Sequence, residues 1–276
     1  MNQLALFTKP WKRLPLPQLA RHVRSLGFDA IELPVRPGFP IEPENIERDL
    51  PAGARLLAEE GVSVLNITAA CALDDERLYS ACAAAGVGMN RVMFHLAGRD
   101  YLAAEAAARH QLGAALPLCQ QYNLQIGVQN HSRAFVPVHA MGALSLLRGL
   151  DPRYAALVWD PAHQALEGMD SDAALDVVAA HLCMVNLKNA YWRRSSGPEA
   201  AEATWRIWWT SGPQGRASWR RVIAKLREID YRGPICFSAE YSDEERVDEL
   251  IRGDLAYARG LLGPTPLNPP VSTGGS

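Results

Sequence analysis

Short apolar runs alternate with amphipathic segments along most of the chain. Runs such as 157–159 and 235–237 predict buried strands, and segments such as 171–180, with Ser171 as N-cap, predict helices. Eight strand–helix units of roughly 34 residues fit the 276 residues, and eight such units are typical of a (β/α)₈ TIM barrel with a parallel sheet. A doubly wound open sheet is the alternative, but no GxGxxG motif follows the first apolar run.

This alternation predicts one TIM-barrel domain over residues 1–262. Residues 263–276 consist mainly of Pro, Gly, Ser and Thr, and we expect them to form a flexible C-terminal tail.

Composition and charge argue against nucleic acid and membranes as partners. The chain has 28 basic and 30 acidic residues, a net charge of −2, so it has no basic excess for nucleic-acid binding. No apolar run reaches about 18 residues and no signal peptide is visible, which predicts a cytoplasmic protein without a membrane partner. The cysteines form no CxxC pair, and we expect reduced thiols at Cys71, Cys82, Cys119, Cys183 and Cys236.

Polar residues close the predicted strands. In a barrel the carboxyl ends of the strands meet at one face, where the chemistry takes place. The residues that fall at these ends are Glu32, Asn66, His95, Gln129, Asp160, Asn186, Lys188 and Glu240.

Two carboxylates in this set, Asp160 and Glu240, suit a hard divalent cation such as Mg²⁺ or Mn²⁺. Gln129 and Asn186 could add amide oxygens to the same site. His163, three residues after Asp160, could be a ligand, a substrate contact or a hydrogen-bond partner of a ligand. Asp160 and Glu240 could instead be ion-paired structural residues, for example with Lys188.

Several short motifs in order resemble the sugar phosphate isomerase/epimerase superfamily of xylose isomerase-like TIM barrels. They are GFDAIEL at 27–33, VRPG at 35–38, QNHS at 129–132, DPAH at 160–163, NLKN at 186–189, GPQGRASW at 212–219 and the segment 231–240. The resemblance implies a metal bound by Glu, Asp, His and Glu after strands five to eight. This sequence keeps Asp160 and Glu240 but has Gln129 and Asn186 at the other two positions, as in relatives with Gln-Asn-His after strand five.

The resemblance implies enediol chemistry on a small carbohydrate. An amide such as Gln129 cannot act as a base, so Glu240 is the expected single base, with Lys188 and His95 assisting. The expected substrate-binding residues are Glu32, Asn66, His131, His163 and Trp192. Five tryptophans between residues 192 and 219 either contact the substrate or pack the loop that carries them.

Three functions therefore stay open from the sequence. A metal-dependent sugar or sugar-phosphate isomerase or epimerase comes first, and a sugar lyase or dehydratase is the nearest enzymatic alternative. A metal-free, non-catalytic sugar-binding or partner subunit is the third. The resemblance also allows a homo-oligomer, since members of the family are often dimers or tetramers.

Overall fold

Eight parallel strands close into a barrel, which confirms the predicted fold. The computed structural model describes residues 2–98 and 100–263, and the predicted tail lies outside these residues except for Gly263. The first and last strands close the barrel, with Leu6 paired to Phe237. The barrel strands are β1 (Leu4–Phe7), β2 (Ala30–Val35), β3 (Ser63–Ala69), β4 (Met89–Val92), β5 (Gln125–Gln129), β6 (Ala155–Trp159), β7 (Leu182–Leu187) and β8 (Ile235–Phe237).

Helices connect the strands and cover the outside of the barrel. They are α1 (Leu16–Ser25), α2 (Ile46–Glu59), α3 (Glu76–Ala85), α4 (Tyr101–Tyr122), α5 (Ala140–Leu147), α6 (Pro161–Leu166), α7 (Ser171–Val178), α8 (Trp219–Glu228) and α9 (Val247–Leu262). Among the helices of residues 2–98 and 100–263, none is long and apolar enough to cross a bilayer.

Local sequence explains where several helices begin and end. Asp75 caps α3 by accepting a hydrogen bond from the backbone N–H of Arg77 at 3.1 Å, and Gly86 ends the helix at a φ of 70°. The prediction that Ser171 caps α7 is wrong by one residue. The side chain of Asp170 is the cap, because its Oδ1 accepts hydrogen bonds from the first turn of the helix.

The core has two layers. The larger one lies between the barrel and its helices, and a smaller apolar cluster fills the barrel interior with residues of β1, β2, β4, β6, β7 and β8. Gly127 of β5 makes room inside the barrel, since an added Cβ would lie 2.7 Å from Val158 Cγ2 and 2.9 Å from Met89 Sδ. Polar side chains replace this apolar filling toward the carboxyl ends of the strands.

The structure adds two antiparallel elements that the alternation does not predict. Asn189–Arg194 pairs with Trp205–Thr210 in a hairpin that follows β7, and Phe94–His95 pairs with Phe135–Val136. Both lie in connections where the sequence suggests loops or the continuation of a strand. All five cysteines are free, which confirms the predicted reduced thiols.

Candidate active site

The carboxyl ends of the barrel strands surround a cavity of about 260 Å³. Its lining includes the predicted site residues Gln129, His131, Asn186, Lys188 and Glu240, which the fold therefore brings together. The other lining residues are Phe7, Lys9, Arg36, Arg91, Met93 and Trp209.

Asp160 lies beneath this cavity and is fully buried. It follows β6 and caps α6, so that Oδ1 accepts hydrogen bonds from the backbone N–H groups of Ala162 and His163 at 2.9 and 3.0 Å. Oδ2 accepts from Gln129 Nε2 and Asn186 Nδ2, both at 2.9 Å. Burial raises the pKa of the Asp160 carboxyl, while these hydrogen bonds stabilise its ionised form.

The chemistry of their neighbours fixes the orientation of the two amides. Gln129 Oε1 accepts a hydrogen bond from the guanidinium of Arg91, and Asn186 Oδ1 accepts from Ser238 Oγ at 3.2 Å. Flipping Gln129 would turn its oxygen toward the Asp160 carboxylate and its NH₂ toward a guanidinium, and both contacts would be repulsive. The amide oxygens are therefore used inside the protein, and the amide N–H groups face Asp160.

A buried ion pair between Arg91 and Glu32 holds the guanidinium that binds the Gln129 oxygen. The Nε of Arg91 donates to Glu32 Oε1, and both side chains are almost completely buried. The Arg91 guanidinium also lies 4.8 Å from the ring centroid of Phe7. Polar contacts thus run without interruption across the barrel, in the order Glu32, Arg91, Gln129, Asp160, Asn186 and Ser238.

Glu240 and Lys188 form the second charged pair of the site. Lys188 Nζ lies 2.9 Å from Glu240 Oε2 and 3.9 Å from the ring centroid of Trp209, while Lys9 pairs with Glu240 Oε1. Burial would raise the pKa of Glu240, but the ammonium groups of Lys188 and Lys9 outweigh it and hold that pKa well below its usual range. Glu240 is ionised and its side chain is 25% exposed toward the cavity.

Two histidines pack against each other beside this pair, with ring centroids 3.7 Å apart. His131 Nδ1 donates to the backbone carbonyl of Ser132 at 2.9 Å, which leaves Nε2 as an acceptor. Burial lowers the pKa of His131 to about 4, so its ring is neutral. Burial and the charge of Lys188 also lower the pKa of His163, whose Nε2 lies 3.5 Å from Lys188 Nζ.

The other predicted site residues lie outside the cavity lining. Glu32 is taken up by its ion pair, and Asn66 is buried opposite it on β3, where its amide makes no hydrogen bond to the described residues. His95 is exposed and packs on Phe135 at 4.0 Å. Trp192 donates from Nε1 to the carbonyl of Leu166 at 3.0 Å.

The tryptophans mostly pack the loop that carries them. Trp219 is buried in the core and Trp208 contacts the guanidinium groups of Arg193 and Arg206. Trp205 is 54% exposed. Among these indoles, Trp209 lines the cavity, and the sequence alone gives no reason to select it over its neighbours.

Sequence reasoning also missed three cations of the cavity, Lys9, Arg36 and Arg91. Arg36 follows β2, is half-buried, and donates from Nη2 to Thr68 Oγ1 at 3.0 Å. Burial and the charge of Arg91 lower the pKa of Arg36. One signal in the sequence is the position of Lys9 and Arg36 just after strands, the same signal that marks the other site residues.

The donors that the resemblance implies for a metal do not fit one in this arrangement. A hard divalent cation needs free, negatively charged oxygens. Both oxygens of Asp160 already accept hydrogen bonds, the oxygens of Gln129 and Asn186 are used elsewhere, and Glu240 is held by two lysines. Across residues 2–98 and 100–263, no three His, Cys, Asp or Glu side chains form a group that could hold a metal ion.

Comparisons with known proteins agree with the fold. The sequence matches the family described as xylose isomerase-like TIM barrel over residues 20–261. No curated protein matches the sequence at a significant level.

Solved structures similar to this chain include sugar epimerases at low identity, so the likeness extends to the fold alone. A D-psicose 3-epimerase with D-tagatose from Clostridium cellulolyticum H10 has a TM-score of 0.72 and 12% identity, over 94% of this chain and 99% of that one. A 3-keto-D-glucoside 4-epimerase from E. coli in the apo form has a TM-score of 0.70 and 13% identity, over 94% and 100%. A xylose isomerase-like TIM barrel protein from Mycobacterium smegmatis in complex with magnesium has a TM-score of 0.68 and 16% identity, over 95% and 97%.

Proposed function

The chain belongs to the xylose isomerase-like TIM barrel family, and from this premise we propose that it is a sugar isomerase or epimerase that moves a proton beside a carbohydrate carbonyl. The observation that carries the proposal is the pair of Lys188 and Glu240 on the cavity wall, with Nζ 2.9 Å from Oε2. It places a carboxylate base next to a cation that can stabilise an oxyanion. Two of the similar structures are sugar epimerases, which supports this reaction class.

In the proposed reaction, the Lys188 ammonium donates a hydrogen bond to the substrate carbonyl oxygen. This exchange frees Glu240 from one of the two ammonium groups that lower its pKa, and so strengthens it as a base. Glu240 accepts the proton of the adjacent carbon, and the C–H electron pair becomes the C=C bond of an enediolate whose charge lies beside Lys188. While it is held on the Glu240 carboxyl this proton exchanges with solvent, and delivery of a proton from Glu240 to the former carbonyl carbon gives the isomer, so that atoms and charge balance.

Isomerisation between an aldose and a ketose also moves a proton between two oxygens. His131 suits this transfer because it lines the same cavity and its Nε2 is an unprotonated acceptor. With its pKa lowered to about 4, the ring is neutral in the resting site, and the negative charge of the enediolate would favour the transient protonation by which the ring moves the hydroxyl proton between the two oxygens.

We propose that these steps run without a bound metal ion. The role that the family resemblance gives to a metal, neutralising charge on the substrate oxygens, falls to the ammonium of Lys188. Asp160 then has a structural role, because it orders Gln129 and Asn186 in the floor of the cavity. The predicted metal set of Gln129, Asp160, Asn186 and Glu240 remains a prediction that this arrangement does not favour.

The same observation favours a second candidate, a non-catalytic sugar-binding or partner subunit. In this barrel amide N–H groups hydrogen-bond to Asp160, and two lysines pair with Glu240. Such a site could bind a sugar without catalysing a reaction on it. Such a protein would bind carbohydrate equally well with and without an ionisable side chain at position 240.

Exchange of solvent deuterium separates the two candidates. The purified protein is incubated in D₂O with a panel of aldoses, ketoses, sugar acids and sugar phosphates, and carbon-bound deuterium is read by NMR. We expect exchange next to the carbonyl of at least one sugar, and its loss in Glu240→Gln. Sugar binding without deuterium in any sugar would contradict the proposal and support the binding subunit.

A further inference from the structure

The inner cavity carries more basic than acidic side chains. Four basic side chains line it, Lys9, Arg36, Arg91 and Lys188, against one carboxylate, Glu240, among the described residues. Glu32 and Asp160 lie behind the lining and add two buried negative charges. Even when both are counted, the four cations exceed the three carboxylates by one, so the inner cavity has one positive charge in excess.

The pairing of these groups locates the excess at Arg36. Arg91 is paired with Glu32, and Lys9 and Lys188 share the two oxygens of Glu240. In residues 2–98 and 100–263, no carboxylate oxygen lies within 4.0 Å of Arg36. Arg36 is half-buried, and Glu32 and Glu240 attract it from beyond ion-pair distance, so the charge that offsets its lost hydration is not in direct contact with the guanidinium.

Most of the hydrogen-bonding capacity of Arg36 is also unused by the protein. A guanidinium has five N–H donors, and the side-chain hydrogen bond that the described residues supply goes from Nη2 to Thr68 Oγ1. The planar fork of an arginine matches the geometry of a carboxylate or phosphate, to which it can donate two parallel bonds. The chemistry at this point of the wall is therefore that of an oxyanion site.

The position of Arg36 indicates which part of a substrate would reach it. Lys9 and Arg36 also line a larger outer cavity of about 780 Å³, so they lie where the two cavities meet. The outer cavity is lined by aromatic rings, among them Trp11, Phe39 and Trp209, and on another part of its wall by Lys12 and the carboxylates Glu244, Glu245 and Asp248. A sugar that places its carbonyl at Lys188 would extend past Arg36 toward these rings.

We propose that Arg36 and Lys9 form a subsite for an oxyanion, a carboxylate or phosphate group carried by the carbohydrate substrate. The identity of the carrier rests on the proposed function, whereas binding of the anion itself does not require turnover. On entering, the anion supplies the direct counter-ion that Arg36 lacks and competes with Glu240 for Lys9. A neutral sugar neither pairs with Arg36 nor competes for Lys9, and it therefore binds more weakly.

Binding of simple anions tests the subsite directly. Inorganic phosphate and acetate are titrated separately into the intact protein by calorimetry, at constant ionic strength and in a buffer without oxyanions. The variants are Arg36→Gln, Arg36→Lys, and Arg220→Gln as a matched control on the exposed face of α8. Circular dichroism and the Tm establish that each variant is folded.

We expect saturable binding of at least one anion to the wild type. Arg36→Gln should weaken it by about tenfold or more, Arg36→Lys should weaken it less, and Arg220→Gln should leave it unchanged. Preference for phosphate over acetate identifies a phosphorylated sugar, and the reverse identifies a sugar acid. Equal binding by the wild type and Arg36→Gln, or no binding of either anion at millimolar concentration, would overturn the proposal.

The two proposals fail separately. Loss of the subsite leaves the result of deuterium exchange with neutral sugars untouched. Absence of exchange in every sugar would remove the proposed reaction but not the binding of phosphate or acetate at Arg36.

Discussion

Gln129 donates a hydrogen bond from Nε2 to Oδ2 of Asp160 at 2.9 Å, on the floor of the cavity. Because its oxygen is held by Arg91, this amide acts toward Asp160 as a donor. Asn186 does the same from the other side. The buried carboxylate is therefore stabilised by hydrogen-bond donors of the protein itself, in a family where the resemblance implies a metal ion at this place.

Gln129→Glu should destabilise the fold, because it removes a donor and places a second carboxylate against Asp160. We expect a loss of about 2–3 kcal/mol in the free energy of unfolding at pH 7, measured by urea denaturation. Gln18→Glu, on the exposed face of α1, is the matched control and should change it by less than about 0.5 kcal/mol. Equal stability of the two variants would show that the amide orientation described for Gln129 is wrong.

Arg91→Met should cost about 3–5 kcal/mol, since it leaves Glu32 buried and unpaired. The double variant Arg91→Met with Glu32→Gln should recover part of this loss, because the unpaired charge is gone. Arg153→Met breaks an exposed pair with Asp151 and should cost less than about 1 kcal/mol. Urea denaturation of the three proteins gives the comparison, and an Arg91→Met variant as stable as Arg153→Met would contradict the role given to the buried pair.

Lys188→Met should slow proton transfer strongly while leaving the fold intact. We expect deuterium exchange to fall by about a thousandfold with a much smaller change in sugar affinity, because the ammonium stabilises charge that develops during the reaction. Lys225→Met removes a half-buried lysine of α8 that pairs with Asp176 and Glu228 and is not part of the cavity lining, and it should leave exchange unchanged. Exchange by Lys188→Met at the wild-type rate would assign the oxyanion contact to another residue.

Asp254, which does not line the cavity, should make the free energy of unfolding depend on pH. Burial raises its pKa to about 6, while its two oxygens accept from the Gly212 N–H and the Tyr241 hydroxyl. A raised carboxyl pKa means that the folded state binds the proton more tightly than the unfolded chain, so stability falls as the pH rises from about 4 to about 6 and is constant above that. The free energy of unfolding of the wild type minus that of Asp254→Asn should therefore fall by about 2 kcal/mol between pH 4 and pH 7. A difference that does not change with pH would contradict the raised pKa.

The barrel can be predicted from the sequence because its determinants are local. An apolar run that ends in a polar residue, such as the run that ends at Gln129, predicts a strand. The polar residue marks the end of that strand that faces solvent or substrate. The same rule brings Lys188 and Glu240 to one cavity. Helix ends are equally local, although the cap of α7 is Asp170 and not its neighbour Ser171, since adjacent polar residues compete for one cap position.

The hydrogen bonding inside the site and the choice of its aromatic residue could not be predicted in the same way. Whether Gln129 offers its oxygen or its N–H group depends on Arg91, a strand residue 38 positions away whose side chain points into the barrel. The selection of Trp209 among neighbouring tryptophans depends on the register of a hairpin formed after β7. These features come from contacts between distant segments, and sequence patterning within a window of ten residues contains no information about them.

The most direct test of whether the amide donors of Gln129 and Asn186 replace a cation at Asp160 is to measure metal content and metal dependence. The protein is purified, its metal content is determined by mass spectrometry, and deuterium exchange and Tm are measured before and after treatment with EDTA and after addition of Mn²⁺ or Mg²⁺. We predict less than about 0.1 metal ion per chain, and exchange and Tm that neither EDTA nor added metal changes. A stoichiometric divalent ion whose removal stops exchange and lowers Tm would contradict the hydrogen-bonded state of Asp160 and restore it as a metal ligand.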